Sequence, residues 1–236
     1  MANGDVSRLA VLVDADNASA KVIQDLLGEV SKYGTATVKR AYGDWTTSNL
    51  AGWKAQLHRH AVQPIQQFAY TSGKNSTDSA FIIDAMDLLY AGNVDGFVLV
   101  SSDGDFTRLA TRLREAGKVV YGLGERKTPE AFIAACDKFI FFEVLHDLPK
   151  ADAEAAESGE LKVLLARAIE NTARDNGWAP LGAVGSYIVK NNASFDSRNY
   201  GFAKLGGLVR AQPYIEIKEV GDPSVITNMH IRLKRK

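Results

Sequence analysis

Apolar residues in this chain gather in short runs that alternate with helical patterns: LAVLVD (9–14) precedes KVIQDLLGEVSKY, and TATVKRAY (35–42) precedes a segment from Asn49 to His60. The alternation continues through VQPIQQFAY, SAFIIDAMDLLY (79–90), GFVLVSSD (96–103), FTRLATRLREAG, KVVYGLG, PEAFIAAC and KFIFFEVL. Strand–helix alternation of this kind predicts an α/β fold, a largely parallel sheet with helices on both faces. LAVLV and FVLV are apolar without interruption, as strands buried on both sides should be, and each runs straight into aspartates. Those aspartates fall at the carboxyl ends of strands, the edge where open α/β sheets bind ligands.

The pattern changes after Leu145. Residues 148–158 read LPKADAEAAES, small and acidic with no aromatic residue, which marks a boundary. The expected organisation is a first domain over 1–147, a linker over 148–157 and a second domain over 158–236. The second begins with a helix that repeats Leu161, Leu164, Leu165, Ala168 and Ile169 at three- and four-residue spacing, continues through GAVGSYIVKNN and FAKLGGLVRAQ, and ends in the pair YIEIKEV and VITNMHIRLKRK. Helices followed by a β-ribbon predict a small winged helix-turn-helix domain.

Composition adds little to the fold and more to the function. With 236 residues, 46% hydrophobic and 24% charged, the chain is ordinary globular protein, and no run approaches the roughly 20 apolar residues of a membrane span. A cytoplasmic protein with no membrane partner is expected. The single cysteine, Cys136, lies in AFIAACDKFIFF and reads as a reduced, buried hydrophobe. Net charge is zero, but residues 1–157 carry 16 basic against 21 acidic side chains and residues 158–236 carry 12 against 7. An acidic site joined to a module that faces nucleic acid would produce that asymmetry.

The acidic positions of note are Asp14 and Asp16 in VDADN, Asp78 at the start of SAFIIDAMDLL, and Asp103 and Asp105 in VSSDGDF. They come from separate elements that a parallel sheet brings to one edge. Carboxylates gathered without basic partners repel one another, so a hard divalent cation such as Mg2+ or Mn2+ would account for their assembly, and a phosphodiesterase uses such a cation. Helix capping is the alternative for Asp78 and Asp105 taken singly, since each stands at a helix start. Asp84 lies six residues after Asp78, about 120° around the helix, and is a weaker candidate for the same ion; Asp87 belongs to a solvated stripe. His58 and His60 in QLHRH read as surface residues of a helix. The string DADN also mimics the nucleophile-plus-acid pair of haloacid dehalogenase-type phosphatases, which need a lysine that is not clearly placed here.

The strings VLVDADN, GKNSTDSAFIIDA and VLVSSDGDFTRL resemble, in order and spacing, the acidic motifs of NYN-domain proteins of the LabA type, a PIN-like nuclease family, over about residues 7–146. The resemblance implies a metal-dependent ribonuclease in which Asp14, Asp78 and Asp103 hold Mg2+ or Mn2+, Asp105 is a further or water-mediated ligand, and Asn17 orients the site. It implies a PIN-like, Rossmann-like α/β fold in which Asp78 follows a lysine-containing loop. Many relatives have a shorter loop there, and this chain departs from them with the order Gly73-Lys74-Asn75. Asp16 is a secondary candidate from its place in VDADN. Hydrolysis would be in line and leave a 5′-phosphate. Arg40, Lys74 and Ser102 are the candidate RNA contacts near the acids, with Tyr42, Trp45 and Tyr70 as aromatic faces for unpaired bases.

The segment GWAPLGAVGSYIVKNNASFDSRNYGFAKLGGLVRAQPYIEI resembles the LOTUS domain, also called OST-HTH, over roughly residues 158–236. That family is a winged-helix fold that binds RNA and in some members a protein partner. Lys190, Arg198, Lys204 and Arg210, with the tail Arg232, Lys234, Arg235 and Lys236, are the candidate RNA contacts there. A homodimer is a further expectation. The leading expectation is thus a ribonuclease with a tethered RNA-binding domain; a catalytically weak adaptor for RNA or protein is the alternative.

Overall fold

The computed structural model describes residues 7–68, 76–146, 159–220 and 228–234. The chain divides into two compact units, Met1–His146 and Asp147–Lys236. The linker expected over 148–157, and the candidates Tyr70, Lys74, Arg235 and Lys236, lie outside the described residues.

The first unit is a six-stranded sheet. Its strands are β1 (Arg8–Asp14), β2 (Thr35–Gly43), β3 (Gln63–Gln66), β4 (Gly96–Val100), β5 (Val119–Gly124) and β6 (Lys138–Phe141). They stand in the order β3-β2-β1-β4-β5-β6 and every neighbouring pair is parallel. The strand order reverses between β1 and β4, so the crevice of this sheet opens at their carboxyl ends. The helices are α1 (Ile23–Val30), α2 (Trp53–His60), α3 (Ser76–Ala91), α4 (Thr107–Glu115), α5 (Glu130–Ala135) and α6 (Glu143–His146).

The two-residue period of the strands sorts the core into two layers. Leu9, Val11 and Val13 of β1, with Val98 and Val100 of β4, pack with Ile23, Leu26, Trp53, Leu57 and Val144 from α1, α2 and α6. Ala10 and Leu12 of β1, with Phe97 and Leu99 of β4, pack with Phe81, Ala85, Leu109, Leu113 and Phe132 from α3, α4 and α5. Strands buried on both sides leave no polar stripe, which is why β1 and β4 read as unbroken apolar runs. Cys136 sits in the second layer, with burial pushing its thiol up to about 12, so it stays protonated and inert.

Strand β3 is shorter than the run VQPIQQFAY suggests. It is an edge strand of four residues that includes Pro64, opposite Ala41 of β2. The stretch 49–60 forms a 3-10 turn, Ser48–Leu50, followed by α2, whose end is marked by Ala61 in the left-handed region at φ 49°.

The second unit has helices α7 (Gly159–Thr172), α8 (Leu181–Asn191) and α9 (Leu205–Arg210) with strands β7 (Ala179–Pro180), β8 (Ile215–Val220) and β9 (Asn228–Leu233). The antiparallel sheet has the order β7-β9-β8. Leu161, Leu165, Ala168 and Ile169 of α7 bury their stripe against Val184, Ile188, Leu208, Val209 and Ile231. Three helices with a β8–β9 ribbon give the expected winged arrangement.

Candidate metal centre at the carboxyl edge of the sheet

Asp14 closes β1, and strand parity decides where it points: it continues the series Ala10, Leu12 toward the layer of α3. Val13 is opposite Val100, so the next residues along, Asp14 and Ser101, are neighbours. Ser101 Oγ donates to Asp14 Oδ2 at 2.8 Å, Asn17 Nδ2 donates to the same oxygen at 2.8 Å, and the Asn17 backbone N–H reaches Oδ1 at 3.3 Å. Asp14 is 1% exposed. Burial pushes its carboxyl above the ordinary range; the bonds from Asn17 and Ser101 pull it back, and burial wins.

Ser101 also ties in the next loop. The backbone N–H of Asp103 donates to Ser101 Oγ at 3.1 Å, so a single buried hydroxyl links the Asp103 loop to Asp14. Asp103 in turn caps the 3-10 turn Gly104–Phe106, its Oδ1 accepting from the Asp105 N–H at 2.9 Å. Phe106, fully buried, anchors that turn. The capping role foreseen for Asp105 belongs instead to Asp103, and the capping leaves Asp105 in the first turn facing the same edge.

Asp78 lies in the first turn of α3. Phe81, three residues on, packs its ring on Tyr42 of β2 at a centroid distance of 4.8 Å and on Phe106 at 4.5 Å. The register of α3 is therefore held by aromatic contacts to β2 and to the Gly104–Phe106 turn that follows Asp103 and contains Asp105. The result is a group in which Asp78, Asp103 and Asp105 each place a carboxylate oxygen within 4.8 Å of the others. Asp78 is pushed up to about 6 by burial and then by the negative charges of Asp14, Asp103, Asp105 and Asp16. Four neighbouring carboxylates make ionisation costly unless a cation joins them. The donors are all oxygens, a set that suits a hard divalent ion.

Asp105, expected as an outer ligand, is within the tight trio, while Asp14 stands beside it, buried and held by three donors. Asp16 is exposed and accepts from Thr77 Oγ1 at 3.0 Å. Asp84 is placed differently from the trio. Its carboxylate accepts from the Arg40 guanidinium and the Tyr42 hydroxyl, both from β2, as the 120° rotation from Asp78 allows. Arg40 is thereby engaged within the protein, and Tyr42 is fully buried, so neither aromatic stacking by Tyr42 nor an extended Arg40 is the arrangement seen. Trp45 is likewise built into its loop: its backbone N–H donates to Gln66 Oε1 at 3.1 Å, its ring N–H donates to the Ile65 carbonyl at 3.0 Å, and its ring meets Trp53 edge-on.

The sequence model of the NYN domain matches residues 8–146. The chain belongs to the NYN-domain family. A model of the OST-HTH/LOTUS domain matches residues 156–227 directly after it. Among solved structures, a Vibrio parahaemolyticus protein of unknown function is 20% identical, with a TM-score of 0.50, over 60% of this chain and 96% of that one, and shares the NYN-unit fold. An NMR structure of residues 175–257 of a Chromobacterium violaceum protein is 40% identical over 34% of this chain and 86% of that one, with a TM-score of 0.29. An uncharacterised Nitrosomonas europaea protein is 34% identical over 32% and 73%, also with a TM-score of 0.29. No curated protein matches.

In the NYN unit, the Ser102 hydroxyl accepts from the Glu125 N–H at 2.9 Å, fastening the loop after β4 to that after β5. In the LOTUS unit, Lys190 and Lys204 stand at exposed positions. Arg198 is paired with Asp196 at 2.7 Å and largely covered, Arg210 is paired with Glu219, and Arg232 with Glu216 at 2.8 Å. Two residues of the NYN site escaped the sequence reading, Ser101 and Thr77. Ser101 had a usable signal, since strand parity places it on the face of Phe97, Leu99 and Asp14. Thr77 had none, because its contact with Asp16 spans 61 residues.

Proposed function

We propose that this NYN chain is a divalent-cation-dependent ribonuclease that hydrolyses RNA phosphodiester bonds, its LOTUS unit tethering the RNA. The observation that carries this reading is the convergence of Asp78, Asp103 and Asp105 to within 4.8 Å at the carboxyl edge of the sheet, where the strand order reverses between β1 and β4. Asp78, Asp103 and Asp105 would hold Mg2+ or Mn2+, with Asp14 and Asp16 adding negative charge beside them. A cation bound there neutralises the phosphate and makes an attacking water more acidic. Asn17 and Ser101 keep Asp14 in one orientation, and Ser101 sets the Asp103 loop against it, so the acids are fixed before substrate arrives. Attack in line would leave a 5′-phosphate, as in the PIN-like family.

The phosphatase alternative requires Asp14 as an open nucleophile. Its 1% exposure and three hydrogen-bond donors argue for a supporting role instead. Among the described residues no helix is long and apolar enough to cross a membrane.

Cleavage of labelled single-stranded RNA tests the proposal. Activity should require Mg2+ or Mn2+, stop on chelation, and fall below detection in Asp14→Asn and Asp103→Asn. Cleavage retained by both variants would overturn it.

A further inference from the structure

Asp16 borders a second feature of the NYN unit, a hollow of about 600 Å3 between the loop after β1 and the start of α2. That volume is within the roughly 300–1,000 Å3 of small-ligand sites. Its apolar lining comes from Ala15, Ala18, Leu50 and Trp53, all buried, which gives it a fixed floor. Its polar lining comes from Ser19, Lys21, Asn49 and Gln56, with Asp16 completing the set.

The chemistry of that lining is selective. Asn49 and Gln56 each offer both amide donors and a carbonyl acceptor, the complement of a nucleobase edge, while the Lys21 ammonium suits a phosphate. Asp16 can accept from a hydroxyl, as a ribose 2′-OH would require. Asp16 also receives the hydroxyl of Thr77, the residue before Asp78, and its charge is felt at Asp78. The hollow and the acidic trio therefore share a border at Asp16.

We propose that this hollow seats one unpaired nucleotide of the RNA strand, next to the phosphodiester that lies at Asp78, Asp103 and Asp105. The inference rests on the ribonuclease reading and adds a specificity site to it. The apolar floor excludes water from the base face, the carboxamides read its edge, and Asp16 distinguishes ribose from deoxyribose.

Gly52 provides a clean perturbation. It lines the hollow, its φ is −64°, and a Cβ there would meet nothing within 4 Å, so Gly52→Leu adds bulk at the lining of the hollow without straining the backbone. The full chain and Gly52→Leu would be given a short labelled single-stranded RNA, intact or with one abasic residue stepped along it. The unaltered chain should lose about 10-fold in kcat/KM when the abasic residue falls at one position beside the cut, a loss in keeping with the removal of one base contact. Gly52→Leu should cleave the intact RNA about 10-fold less efficiently, mainly through KM, and should no longer sense the abasic residue. Cleavage with a flat abasic profile in the unaltered chain overturns the nucleotide site and leaves the ribonuclease reading standing. If the unaltered chain cleaves nothing, the ribonuclease reading falls, and fluorescence anisotropy with the intact RNA decides the hollow separately. Equal affinity of the two chains would then overturn it, and about 10-fold weaker binding by Gly52→Leu would support it.

Discussion

The acids at this site are individually ordinary, and their value comes from what holds each one. Ser101 illustrates this, since one buried hydroxyl donates to Asp14 and accepts from the Asp103 N–H. Ser101→Ala should cost about 1–3 kcal/mol in urea unfolding, the penalty for polar groups left unsatisfied. It should also lower cleavage by roughly 10- to 100-fold, as loss of a supporting partner at a metal site does; wild-type turnover in this variant would remove Ser101 from the mechanism. Asp78 makes the opposite prediction for stability. Its carboxyl is raised from 3.8 to about 6, so between those values the folded chain holds a proton that the unfolded chain has released. Without divalent cation, this group therefore favours the fold at the acid end of that window, and its contribution is lost as pH rises through about 6. Added Mg2+ or Mn2+ should raise the melting temperature more at pH 7 than at pH 5, because protons compete for the ligand. Asp78→Asn should melt a few degrees higher than wild type without cation at pH 7 and lose the cation response. A cation response unchanged in Asp78→Asn would show that the ion sits elsewhere. These aspartates were legible because they end apolar strands or open a helix; Asp84 was ambiguous because helix rotation gave an angle without revealing that Arg40 and Tyr42, alternate residues of β2, would meet it.

Among the elements, β5 sets how closely the Asp103 loop approaches its neighbours. A Cβ at Gly124 would come within 2.6 Å of the Ser101 carbonyl oxygen and 2.8 Å of Thr128 Oγ1. Gly124→Ala should thus push on the backbone of Ser101, destabilise by about 1–3 kcal/mol and impair cleavage although residue 124 touches no acid. Helix α3 offers a control. Asp84→Ala strips Arg40 and Tyr42 of their shared partner and should cost about 1–3 kcal/mol while leaving the cation-dependent rise in melting temperature intact. Loss of that rise would return Asp84 to the ligand set. The strands, their parallel sense and the helical stripes were readable from periods of two and three to four residues. The end of β3 was not, because QPIQQFAY continues an apolar-polar pattern past the point where pairing with β2 stops at Gln66. The split of 49–60 into a 3-10 turn and α2 was equally hidden, since both keep Leu50, Trp53 and Leu57 on one buried face.

For the whole molecule, the proposed function assigns cutting to the NYN unit and holding of RNA to the LOTUS unit. Lys190→Ala and Lys204→Ala should each reduce the salt dependence of single-stranded RNA binding by about 0.7 in the logarithmic slope, uniformly across sequences. A slope unchanged in the double variant would assign the binding to other cations. The two units meet at His146 and Asp147, and the composition of the chain changes after Leu145. One further property follows from the edge strand β3. The Gln67 N–H donates to the Gly43 carbonyl, so Gln63 and Ile65 address β2 by alternation, and Pro64 faces outward. The outer margin of the sheet thus lacks an amide hydrogen near the centre of a strand only four residues long. A neighbouring copy of the chain has little template there on which to add a strand, which guards a crowded solution of this protein against fibre-like association.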